Sequence, residues 1–166
     1  MAHFAEINYS DNKVLRAIVV SNEDVNANGG DQSTQAETFV KNLIGTGDNT
    51  YWKQTSYNNN FRVNMATKDG FYKPAEDIFH APAPEWSSWV LNNTNWQWEP
   101  PLSYPGDTRP FDGSIEEWSC IWNEDLWVSS SNTNGWTSMQ SDDVPSRDTN
   151  KYFLDQSNLT WSVLND

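Results

Sequence analysis

Nine of the ten tryptophans in this chain lie at or beyond Trp86. An indole carries a large apolar surface and one N–H that seeks an acceptor once water is excluded. A segment rich in indoles and poor in leucine is therefore expected to form short strands whose rings pair across a pleated surface, joined by polar turns. The chain's 20 asparagines supply such turns, because Asn tolerates positive φ and bonds its own backbone.

The aromatic half contains an internal repeat. Trp89–Trp98 (WVLNNTNWQW) aligns without a gap on Tyr152–Trp161 (YFLDQSNLTW). Each copy reads aromatic, apolar, Leu, Asn or Asp, amide, hydroxyl, Asn, apolar, polar, Trp. The pattern predicts a β-hairpin with a polar turn and flanking aromatics paired across strands. A third, shorter copy is read at Ile121–Val128. Trp98 and Trp161 should then occupy matching positions with similar burial, each against the aromatic of the opposite strand. Isolated hairpins are marginal in water, so these are expected to stack on one another, on the amino-terminal sheet or on a neighbouring subunit. Pro100–Asp107 and Ser129–Asn150 are polar and read as exposed loops that order against a partner.

The first half follows different rules. Phe4 and Ile7 alternate with polar residues, Tyr9–Lys13 is turn-rich, and Val14–Val20 is apolar, which predicts a hairpin with a largely buried second strand. Ser21–Asp31 reads as a surface loop. Thr34 and Glu37 have capping-box spacing, Ala36, Phe39, Val40, Leu43 and Ile44 share one helical stripe, and Gly45 suits the stop, so a helix is expected there. Tyr51–Tyr57 and Phe61–Met65 flank Asn58-Asn59-Asn60 and predict a second hairpin. Pro74, Pro82 and Pro84 mark the following stretch as an extended connector or edge strand. The expected fold is α+β and β-rich, a small antiparallel sheet with one covering helix followed by Trp-rich β-hairpin repeats. Its segments are an α+β domain over 1–70, a Pro-rich connector over 71–86 and an aromatic hairpin region over 87–166.

Ten Lys and Arg stand against 23 Asp and Glu, a formal net charge of −13, which repels a phosphate backbone and argues against nucleic acid as a partner. Cys120 is the only cysteine, so an internal disulfide and a multi-cysteine zinc site are excluded. The opening MAHFAEINYSDNK is neither basic nor apolar enough for a signal segment, and no run suits a membrane span. A soluble protein made in the cytoplasm is expected.

Catalytic patterns are missing from the sequence. His3 and His80 form no recognisable arrangement with Cys120 or an activated serine, and no P-loop, H-E-x-x-H, G-x-G-x-x-G or EF-hand spacing occurs. The pairs Glu116-Glu117, Glu124-Asp125 and Asp142-Asp143 are adjacent, so on a strand their side chains diverge, and they read as surface charges. Cys120 has no basic neighbour and reads as a quiet, half-buried thiol. No enzyme, cofactor or metal is expected. The candidate contact residues are Trp86, Trp89, Trp96, Trp98, Trp118 and Trp136. They serve either as core and protein–protein anchors, the favoured reading, or as a stacking platform for sugar rings. Trp52, Tyr57, Trp122, Trp127 and Trp161 are read as structural.

The opening Met1–Ile7, the run Val14–Val20 with Asn22-Glu23-Asp24 after it, the central Trp52–Arg62, and Ser88–Asn92 leading to Trp98–Pro101 resemble a group of short proteins of marine phages that infect cyanobacteria and related hosts. The resemblance covers about residues 1 to 128, and Trp52–Arg62 is its most specific part. It implies a virion protein of the head exterior or tail, assembled in the host cytoplasm, with other virion proteins as partners in multiple copies. It supplies no catalytic residue. Met65–Gly70 replaces the glycine-rich turn of such proteins, and the chain continues past their usual end. A carbohydrate-binding module for host-surface glycan is the alternative, and an early protein binding a host factor a third reading.

Overall fold

The computed structural model describes residues 1–105, 118–140 and 151–164. They fall into two compact units, Met1–Glu85 with Leu91–Glu99, and Trp86–Val90 with Pro100–Asp166. The α+β, β-rich class is observed.

The first unit is built on an antiparallel sheet of β1 (Ala2–Asn8), β2 (Val14–Val20) and β3 (Thr50–Thr55) in the order β2-β1-β3. The expected first hairpin forms because its turn satisfies itself. Asn8 Oδ1 accepts from the Ser10 N–H, Asp11 Oδ1 accepts from the Lys13 N–H, and Asn12 takes φ 59°. β1 is central and apolar on both faces, so each face needs a cover.

One face packs under α1 (Asn22–Ala27) and α2 (Thr34–Ile44), where Val25, Ala36 and Val40 meet Ala2, Phe4, Val20 and Trp52. The opposite face carries Ala5, Ile7 and Val14 against Ala66, Tyr72 and Phe79. The latter aromatics come from the hairpin β4 (Phe71–Lys73) and β5 (Ile78–His80).

Several sequence expectations are corrected here. Two helices, not one, cover the sheet, because Ser21 caps α1 by accepting from the Asp24 N–H inside the stretch read as a loop. The α2 cap is Ser33 rather than Thr34, with Ser33 Oγ accepting from the Ala36 N–H. Leu43 and Ile44 are exposed while Glu37 is buried, so the buried stripe is rotated from the expected one. Gly45 ends α2 in the left-handed region, as expected. β2 is an edge strand and largely exposed, not buried. The second hairpin is absent, since Arg62 and Val63 take φ of 55° and 57° and cannot continue a strand. The connector over 71–86 holds the β4–β5 hairpin, whose Ile78 and Phe79 lie in the core.

Both copies of the repeat form hairpins. β6 (Val90–Leu91) pairs with β7 (Trp98–Glu99). In the second unit β8 (Trp118–Trp122), α3 (Glu124–Ser129), β9 (Trp136–Gln140), β10 (Tyr152–Asp155) and β11 (Thr160–Val163) follow, the strands ordered β11-β10-β9-β8. The bonds from backbone N–H groups to turn side chains match in the two copies. Asn92 Oδ1 accepts from the Thr94 N–H as Asp155 Oδ1 does from Ser157, and Asn95 Oδ1 accepts from Gln97 as Asn158 Oδ1 does from Thr160. Trp96 and Leu159, equivalent in the alignment, take φ of 58° and 57°. Trp98 and Trp161 are both half-buried. Their partners differ from expectation, since Trp161 stands opposite Leu154 and Trp98 meets His80 edge-on.

The third copy is not a hairpin. From Glu124 onward it lies in α3 (Glu124–Ser129), capped by Asn123 Oδ1 accepting from the Leu126 N–H. The polar stretch after Ser129 contains β9. Glu116-Glu117 and Asp142-Asp143 lie outside the described residues.

Candidate functional site

Among the described side chains of the second unit every tryptophan is buried or half-buried. In the second unit Trp122 and Trp136 are buried with Leu154, and Trp86, Trp89, Trp127 and Trp161 pack half-buried against them. Trp122 meets Trp136 edge-on at 5.4 Å between ring centroids, and Trp86 stacks on Trp89 at 4.7 Å. Glu124 ties this cluster together by accepting from the Ser88 hydroxyl at 2.6 Å, the Ser88 N–H, the Ser87 hydroxyl and Trp122 Nε1. These bonds, the Ser88 hydroxyl foremost, hold its carboxyl below the ordinary value against a smaller opposing push from burial. The indole N–H groups of Trp89 and Trp161 are buried without an acceptor among the described residues.

Of the other tryptophans, Trp52 is buried in the first unit and donates to Thr46 Oγ1. Trp96 lies under the Lys73 ammonium, 4.7 Å from its ring centre, and Trp98 Nε1 donates to the Ala81 carbonyl. Trp118 opens β8. Tyr57, read as structural, is 70% exposed and stacks on His3.

Two features of the first unit present chemistry to a partner. The sheet's two edges are treated differently. β3 is engaged near its end, where Arg62 Nη1 donates to the Gln54 backbone carbonyl at 2.6 Å and the Thr55 side-chain Oγ1 accepts from the Ala66 N–H. Arg62 is held there by Asp77 at 2.7 Å and Glu37 at 3.4 Å, and Glu37 also binds Lys53. Burial pushes the Asp77 carboxyl up, but hydrogen bonds from Tyr72 and Arg62 outweigh it and leave the group below its ordinary value. On β2, among the described residues only Val14, at its start, is engaged on the outer side, with Gly70 and Asp69. Leu15, Arg16, Ala17 and Val19 are exposed, and among the described residues β2 pairs with β1 alone.

The second feature is a polar cavity of about 200 Å³ whose lining includes His3, Asn22, Asp31, Gln54, Tyr57 and Asn60. Gln54 forms its fixed floor, donating to Asp31 Oδ1 at 2.7 Å and accepting from the Gln32 N–H at 2.5 Å. The asparagine run forms its rim rather than a hairpin turn, with the Asn60 N–H bonded to Ser56 Oγ. Sequence reasoning missed both features. The apolar, nearly uncharged β2 was the available signal for the first, while the cavity needs three distant segments brought together.

Among the described residues no cluster of three or more His, Cys, Asp or Glu is placed to hold a metal ion, and no helix is long and apolar enough to cross a membrane. No family model, curated protein or solved structure matches the chain.

Proposed function

We propose that this chain is a non-enzymatic structural component of a phage particle, a head-decoration or tail-appendage protein that binds other virion proteins in multiple copies. The observation that carries the protein-binding part is the β2 edge, which among the described residues pairs with β1 alone and carries Leu15 and Val19 40% and 53% exposed. Such an edge accepts another chain's strand, and proteins that do not use it defend it. The resemblance of Met1–Ile7, Val14–Val20 and Trp52–Arg62 to phage proteins supports the virion setting. Burial of Trp122 and Trp136 weighs against a broad tryptophan platform for glycan. Mass spectrometry of purified particles tests the proposal. Presence at many copies per particle is expected, and abundance in infected cells with absence from particles would overturn it.

A second reading, host-glycan attachment, is favoured by the cavity around Tyr57. Its carboxylate, amides and exposed aromatic ring are groups that bind sugar hydroxyls and ring faces. A glycan array separates the two, since assembly alone predicts no saccharide preference. Loss of a measured preference in Tyr57→Ala, with folding intact, would favour attachment through this cavity.

A further inference from the structure

We propose that β2 pairs antiparallel with β2 of a second copy of this chain across a two-fold axis, joining two three-stranded sheets into one of six strands. This rests on the protein-binding reading above and names its partner. The argument begins with the contrast inside one sheet. Arg62 donates to the Gln54 backbone carbonyl of β3, whereas beyond Val14 the outer side of β2 has no partner among the described residues.

The sequence of β2 is self-complementary. Arg16 is its only charged residue, and that charge is matched within the same chain by Glu6 at 2.7 Å. In an isologous pairing centred on Ala17, Leu15 faces Val19 of the second copy and Arg16 faces Ile18. Centred on Ile18, Ala17 faces Val19 and Arg16 faces Val20. Neither register sets like charges opposite one another, and every remaining pair is apolar, so the contact satisfies the cross-strand rule in both. The bulge where Glu6 pairs with Arg16 and Ile7 with Val14 confines the regular edge to the later part of the strand. Of the usual guards of an edge, β2 has the bulge at its start and Arg16, whose charge Glu6 matches, but no lysine or proline.

The net charge of −13 per copy opposes association. One added strand also buries less than the roughly 1,000 Å² of a standard interface. Pairing is therefore concentration dependent, strengthened by salt that screens the repulsion, and most effective where neighbouring contacts hold copies close, as in a particle.

Sedimentation equilibrium of the full chain over a range of concentration and ionic strength tests this. The expected result is a monomer–dimer equilibrium that shifts toward dimer with added salt. The double variant Leu15→Lys/Val19→Lys should remain monomeric with unchanged circular dichroism. Hydrogen exchange should slow at alternate β2 amides in the dimer only. Should the double variant fail to fold, the single Val19→Lys, at an exposed site, provides the same comparison. A monomer at all concentrations and salt levels would overturn the proposal, as would a dimer that survives these substitutions or β2 amides protected only by a different virion protein. A monomeric chain that is nonetheless abundant in particles defeats the pairing and leaves the virion reading standing. A dimer absent from particles does the reverse.

Discussion

Arg62 Nη1 lies 2.6 Å from the Gln54 carbonyl oxygen, so a buried side chain supplies one of the donors that a neighbouring strand would give β3. The same guanidinium reaches Glu37 on α2 and Asp77 before β5, tying helix, sheet and hairpin through one charge. Its left-handed φ of 55° is the local cost of that placement.

Arg62→Met is expected to destabilise the first unit by about 3 kcal/mol, because it leaves the buried Gln54 carbonyl without its donor and the Glu37 carboxylate with Lys53 alone. Arg62→Lys should rescue little, since a single ammonium cannot reproduce a fork directed at three acceptors. Urea unfolding measures both, and adding Glu37→Met to the first variant should recover part of the loss.

Leu159 holds φ 57° while its side chain is largely exposed. A non-glycine residue in this region costs about 1–2 kcal/mol, and little burial offsets it here. Leu159→Gly is therefore expected to stabilise the second unit by about 1 kcal/mol. Trp96→Gly, at the equivalent turn position, relieves the same strain but loses the stacking under Lys73, so its gain should be smaller or reversed. Thermal melts of the two variants check the difference.

Gly135 lies against the six-membered ring of Trp122, where an added Cβ would collide with Cη2 and Cζ3. That ring is fixed in the core by Trp127, Trp136 and Glu124. Gly135→Ala should cost about 1–3 kcal/mol through overpacking, read as a lower midpoint and altered tryptophan emission. Trp122→Ala should cost about 3–5 kcal/mol.

Stability of the first unit should fall at both ends of the pH scale. Burial, with the neighbouring Tyr9 phenol, pushes Tyr51 up to about 12, and burial with the Asp77 hydrogen bond raises Tyr72 as well. Raised values mean a contribution fully present below the unfolded phenol value of about 10 and lost as pH rises through the folded ones. Phenolate absorbance should therefore show two late-titrating tyrosines coupled to unfolding. Asp77 has the opposite sign. Its lowered value gives a contribution present above the ordinary carboxylate range and lost as pH falls through the folded value. Asp77→Asn should flatten the acid limb and, because Asp77 helps raise Tyr72, move the Tyr72 part of the alkaline limb to lower pH while leaving that of Tyr51 in place.

Local patterns carried the legible part of the fold. The β1–β2 turn, Gly45 at the end of α2 and the duplicated hairpin turns depend on residues close in sequence, so they were readable there. Arg62 was not, because its partners Glu37, Gln54 and Asp77 are scattered along the chain and its spacing resembled a strand. Prolines obscured Ile78 and Phe79, whose burial wins over the connector signal. At Ile121–Val128 the apolar residues suggested a strand while Asn123, a strong cap, governed the outcome. Trp136, a contact candidate in the sequence, lies with Trp122 in the core of the second unit, because burial depends on partners such as Leu154 that local pattern does not bring near it.

The central position of β1 between β2 and β3 also sets an order of assembly. β1 and β2 meet across a short turn, so their pairing is an early, local event. The second pairing sets His3 opposite Thr55 and must close a loop that contains both helices, a step that waits on chain entropy and belongs to the slower, high-contact-order regime. During synthesis the new hairpin consequently emerges with both of its edges bare until β3 leaves the ribosome. For that interval the chain's best protection against premature self-pairing is mutual repulsion between copies.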